Sequence, residues 1–95
     1  MGSVKLSVKV RIHPFLVHLT DQHELIEMDC STVGECLHEL SSRYPDIKEW
    51  LFEKDGKINN LLEVYVNGES SYPEELAKPV RDGDELQTVI FITGG

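Results

Sequence analysis

Ninety-five residues suffice for one hydrophobic core but not two, and 40% hydrophobic with 27% charged residues is ordinary globular composition, which excludes a disordered or fibrous chain and predicts a single domain over 1–95. Seventeen acidic against nine basic residues leave a formal charge of -8, a sign that opposes nucleic-acid phosphate and anionic lipid and suits a basic partner surface. No apolar stretch approaches the ~20 residues of a membrane span, and no basic start leads into an apolar run, so a cytoplasmic protein is expected, with Cys30 and Cys36 as reduced thiols.

From Val4 to Ile12 the residues Val4, Leu6, Val8, Val10 and Ile12 alternate with Lys5, Ser7, Lys9 and Arg11, the period of a strand with one buried face. A polar connection from His13 to His23 follows, expected as a solvated loop, before Ile26, Met28 and Cys30 repeat the alternation as a second strand. Thr32 and Glu35 stand at the spacing of a capping box, and Val33, Cys36, Leu37, Leu40 and Tyr44 line one face of the helix it starts. Pro45 ends that helix, and Ile47, Trp50 and Leu51 make one further amphipathic turn. Leu62, Val64 and Val66 alternate as a third strand between the turn signals Asp55-Gly56 and Asn67-Gly68. After an irregular segment, the turn Asp82-Gly83-Asp84 introduces a last strand from Glu85 to about Thr93. Leu86, Ile90 and Ile92 fall on one of its faces, Val89 and Phe91 on the other. A strand apolar on both faces belongs in the middle of its sheet.

Strand, strand, helix, strand, irregular segment, strand is the order of an α+β β-grasp (ubiquitin-like) fold: a mixed sheet of four to five strands with one main crossing helix. In that topology the first and last strands lie parallel and adjacent. Little in this order supports catalysis. His13, His18 and His23 recur at a spacing that aligns no two ligands on a helical face, so no metal site is expected. Two cysteines cannot hold an iron-sulfur cluster that needs four thiolates. No phosphate-binding glycine loop occurs, and Glu69, Glu74 and Glu75 read as a solvated face.

The chemistry therefore points to the end of the chain. Thr93-Gly94-Gly95 follows the predicted central strand directly, a flexible tail over 93–95 without side chains on its last two residues. Such a tail can be threaded into a narrow enzyme channel, where transfer of AMP from ATP turns the Gly95 carboxylate into an electrophile.

The segment Pro79-Val80-Arg81-Asp82-Gly83-Asp84-Glu85-Leu86, the apolar strand after it and the ending Ile92-Thr93-Gly94-Gly95 resemble the MoaD/ThiS family of ubiquitin-like sulfur-carrier proteins, nearer the MoaD side. The resemblance implies a carrier rather than an enzyme, with Gly95 as adenylate and thiocarboxylate acceptor and Gly94 as its partner in the tail. It implies a MoeB/ThiF-like activating enzyme that supplies ATP and Mg²⁺, no permanently bound cofactor, and a MoaE-like synthase subunit as a second partner. The sulfur would go to molybdopterin, thiamine or another sink, molybdopterin first. Val89, Phe91 and Tyr65, on the sheet face away from the helix, are the candidate docking residues; the alternative is that the longer connections fold over them. Two other functions remain open: a protein modifier joined through Gly95 to lysines, and a β-grasp interaction domain with an inert tail.

Overall fold

The computed structural model describes residues 6–91. In chain order it contains β1 (Val8–Arg11), β2 (Leu25–Met28), α1 (Val33–Arg43), α2 (Lys48–Leu51), β3 (Leu62–Val66), β4 (Glu69–Ser70) and β5 (Glu85–Ile90). The strands form one mixed sheet in the order β2-β1-β5-β3-β4, with β5 central, parallel to β1 and antiparallel to β3. This is the expected β-grasp, and the sheet has five strands because the chain returns after β3 through Asn67-Gly68. Both residues of that turn have positive φ, 51° and 85°, which is the backbone such a tight hairpin needs.

Alternation places Val8 and Val10 of β1, Ile26 and Met28 of β2, Val64 of β3 and Leu86 and Ile90 of β5 in one core. Across that face α1 lays Val33, Cys36, Leu37 and Leu40, all fully buried. Its start follows from the sequence: the Thr32 hydroxyl accepts the Glu35 N–H at 3.1 Å, and the Glu35 carboxylate accepts the Ser31 N–H at 2.8 Å and the Ser31 hydroxyl at 2.9 Å. Gly34 lies where α1 meets the 3-10 turn Glu75–Ala77; a Cβ there would stand 2.9 Å from the Leu76 carbonyl oxygen.

Three expectations need correction. The connection after His13 is not a solvated loop: Pro14–Leu19 forms a 3-10 helix with Leu16 fully buried, and Thr20 is buried behind it, its hydroxyl donating to the His23 carbonyl at 2.9 Å with the Val17 carbonyl at 3.2 Å as the alternative acceptor. The run is apolar apart from His18, and Val17 and Leu19 pack partly against the core beside Leu16, so burial of apolar surface pins the helix. Cys30 and Cys36 are not separate thiols but a disulfide. The end of β2 and the first turn of α1 bring their Cα atoms to 5.4 Å, within bonding span, which compartment reasoning does not address. The first strand is shorter than Val4–Ile12. Ser7 spends its backbone on the turn before β5, donating to the Asp82 carboxylate at 2.7 Å and accepting from the Gly83 N–H at 2.8 Å, while the Leu6 N–H goes to Asp29. Val4 lies outside the described residues. The last strand runs Glu85–Ile90 among the described residues, where the Phe91 N–H still donates to the Leu61 carbonyl at 2.8 Å; its expected continuation through Ile92 to about Thr93 lies outside the described residues.

Candidate functional site at the end of the central strand

The segment that carries the family resemblance is a structural joint. Asp84 closes its own turn by accepting the Arg81 N–H at 2.8 Å, and Gly83, at φ +90°, reverses the chain. Ser7 holds the turn from the β1 side, and Asn67 from the β3 side: the Asn67 side chain donates to Asp84 and accepts the Glu85 N–H, both at 2.9 Å. These bonds fix where β5 enters the sheet. Because the strand is central and paired on both sides, its register with β1 and β3 carries that placement along its length.

At the leaving end the β1–β5 ladder stops at Arg11↔Gln87, and one side chain continues it. Thr88 is 2% exposed; its hydroxyl accepts the His13 N–H at 3.0 Å and donates to the Arg11 carbonyl at 3.0 Å. His13 in turn caps the Pro14–Leu19 helix, its Nδ1 accepting the Phe15 N–H at 3.1 Å. Sequence reasoning missed Thr88, since a hydroxyl within an apolar run has no periodic signal. Its place between Leu86 and Ile90 on the inward parity was the available sign.

Of the predicted docking residues, Phe91 is 48% exposed, while Val89 and Tyr65 are half-buried. Val89 stands opposite Glu63 and Tyr65 opposite Gln87, so the two share the sheet face away from α1 as diagonal neighbours. The connections leave Phe91 uncovered among the described residues. Gly94 and Gly95 lie outside the described residues, as do Ile92 and Thr93. Beside Phe91 a groove of about 390 Å³ opens, with Asn59, Asn60, Glu63, Tyr72 and Glu75 in its wall. On the other flank of the sheet end, Phe15 meets Trp50 edge-on, ring centroids 5.5 Å apart.

Among the described residues no group of histidine, cysteine and carboxylate side chains is arranged to hold a metal, and no helix is long and apolar enough to cross a membrane. The Glu35 carboxylate is held below the usual range by the Ser31 backbone N–H and then by the Ser31 hydroxyl, and it serves the helix cap.

The model of the ThiS family matches residues 11–95. The chain belongs to the ThiS family. A protein of Archaeoglobus fulgidus that bears a sulfur-carrier name is 30% identical over 95% of this chain and 100% of its own. A chain in the BexX/CysO complex of Amycolatopsis orientalis is 31% identical, covering 93% of this chain and 99% of that one, with a TM-score of 0.83. CysO of Mycobacterium tuberculosis is 26% identical over 90% of this chain and 99% of its own, TM-score 0.80. SAMP1 of Haloferax volcanii is 25% identical over 94% and 99%, TM-score 0.81. The ThiS family consists of small sulfur carriers, substrates of activating enzymes rather than catalysts. For this ThiS-family chain the candidate site is thus the end of β5, held by Thr88 and Leu61 and flanked by Phe91.

Proposed function

We propose that this chain carries sulfur as a thiocarboxylate on Gly95. The observation that carries the reading is the family match, which runs through Gly95 and joins it to a central strand anchored at Phe91. In the proposed sequence a Gly95 carboxylate oxygen attacks the α-phosphorus of ATP and pyrophosphate leaves, giving an acyl adenylate. Hydrosulfide-level sulfur from the donor then attacks the carbonyl carbon and AMP departs, leaving the thiocarboxylate; a persulfide donor would instead leave an acyl disulfide that a second thiol must reduce. ATP and Mg²⁺ belong to a MoeB/ThiF-like activating enzyme, and the carrier itself holds no permanent cofactor. Glycine at 94 and 95 leaves room for the enzyme to close around the carbonyl. The carrier's own contribution is presentation: β5 fixes the origin of the tail, and Phe91, Val89 and Tyr65 give the enzyme an apolar surface beside it. The sulfur sink proposed first is molybdopterin, through a MoaE-like synthase subunit, with thiamine and other sulfur-containing products as further candidates.

Intact mass of the protein, purified without a C-terminal tag before and after incubation with ATP, activating enzyme and sulfur donor, tests the reading. A species heavier by one oxygen-to-sulfur exchange at Gly95 is expected; an unmodified mass, with no adenylate, would overturn it. Phe91→Ala keeps the fold, since the ring is half-exposed, and is expected to weaken enzyme binding about tenfold, or ~1.4 kcal/mol.

The likeness to SAMP1, a small archaeal modifier protein, favours a second reading in which activated Gly95 forms an isopeptide bond with a target lysine. Conjugates in cell extract that depend on Gly95 would support it. A truncated chain ending at Thr93 that still complements loss of the gene would instead leave an interaction domain with an inert tail.

A further inference from the structure

The groove beside Phe91 has a chemistry that the apolar docking face does not explain. Its volume of about 390 Å³ lies within the ~300–1,000 Å³ of small-ligand sites, and the described residues lining it include Glu63 and Glu75 but no lysine, arginine or histidine. Neither glutamate forms an ion pair among the described residues; Glu63 accepts a hydrogen bond from the Ser70 hydroxyl, which leaves lone pairs to spare. Tyr72, 72% exposed, and Phe91 add aromatic surface to the same wall, and Asn59 and Asn60 contribute amides. Two carboxylates beside two aromatic rings suit a planar cation, which can donate hydrogen bonds to the carboxylates along its edge while stacking through its face.

We propose that this groove receives an arginine side chain of the activating enzyme, its guanidinium bound by Glu63 and Glu75 and packed against Tyr72 and Phe91. The inference rests on the carrier reading above. Four residues follow Phe91, and even fully extended they reach only ~14 Å, so an enzyme that holds the Gly95 carboxylate is already at the mouth of the groove. An enzyme that gathers a triphosphate and a carboxylate concentrates cationic side chains around its channel, and a carrier of net charge -8 meets that surface with its unpaired carboxylates. Arginine is favoured over lysine because a compact ammonium uses neither the fork of carboxylates nor the rings as fully.

The test is calorimetric titration of the full-length carrier into its activating enzyme at several salt concentrations, with ATP–pyrophosphate exchange as a separate readout. Glu63→Gln with Glu75→Gln is expected to weaken binding about tenfold and to flatten its salt dependence, while exchange at saturating carrier stays near the wild-type rate. Tyr72→Ala, at an exposed position, is expected to weaken binding about threefold. Asp46→Asn with Glu69→Gln removes the same charge from residues that do not line the groove and is expected to change affinity less than twofold. Equal weakening by both pairs would reduce the effect to net charge and overturn the proposal. Unchanged affinity in the Glu63/Glu75 pair, with wild-type exchange intact, overturns the groove and leaves the carrier reading standing. Absence of exchange in the wild type overturns both. A loss of stability in the pair without loss of affinity would assign the groove to the chain itself and likewise overturn the proposal.

Discussion

Replacing Thr88 with valine keeps the shape of the side chain and removes its hydroxyl, which isolates the contribution of two hydrogen bonds at the leaving end of β5. In the wild type the hydroxyl serves the His13 N–H and the Arg11 carbonyl, each at 3.0 Å, from a side chain 2% exposed. Valine leaves both backbone groups without that partner, at ~1–3 kcal/mol per buried group. His13 is half-buried and Arg11 exposed, so water can reach part of this region and the low end applies. The added methyl returns up to ~0.8 kcal/mol of burial. The net loss is about 1–2 kcal/mol, a fall in Tm of roughly 5–15 °C for a chain of this size. Urea denaturation followed by circular dichroism measures the first quantity, and native-state hydrogen exchange locates it: the His13 amide should exchange faster in Thr88→Val while amides in α1 change only with global stability. Wild-type stability together with an unchanged His13 amide would refute the assignment of Thr88 as the clamp between β1 and β5.

Three further outcomes follow from the same coordinates. Gly34→Ala gains helix propensity of up to ~1 kcal/mol but places a Cβ 2.9 Å from the Leu76 carbonyl oxygen, and overpacking of ~1–3 kcal/mol should prevail; a more stable variant by thermal melt would show that the Glu75–Ala77 turn yields easily. Reducing the Cys30–Cys36 crosslink, with a sequence separation of 6, should lower unfolding free energy by about 2 kcal/mol in denaturant titrations with and without dithiothreitol, and a Cys30→Ser, Cys36→Ser variant should be indifferent to reductant. Glu35 is held below the usual carboxylate range by the bonds from Ser31, so its stabilising effect is present above the unfolded pKa and disappears as pH falls through the folded one. The Tm difference between wild type and Glu35→Gln should accordingly be positive at neutral pH and close on acidification; a constant difference would contradict the cap.

Wherever a residue's role is set by its immediate neighbours, the sequence was sufficient. The alternation at Val8–Arg11 and Leu62–Val66, the Thr32/Glu35 cap and the Asn67-Gly68 turn are local consequences of side-chain parity and backbone conformation, and the two-faced apolar character of Leu86–Ile90 already placed β5 at the centre of the sheet. Gly94 and Gly95, on which the proposed chemistry rests, lie outside the described residues. Long-range contacts had no such signal. The Asp82-Gly83-Asp84 segment looked like a signature of function and is bonded as a clamp, because its partners Ser7 and Asn67 are distant in sequence. Burial of Leu16 and the bonding distance of Cys30 and Cys36 were decided by where the sheet ends and where α1 begins. The sequence alone thus determined that a central strand leads to a glycine tail. Only the tertiary structure decided that Thr88 holds that strand's end and that Phe91 borders a groove whose carboxylates form no ion pair among the described residues, since both depend on chain segments that meet only after folding.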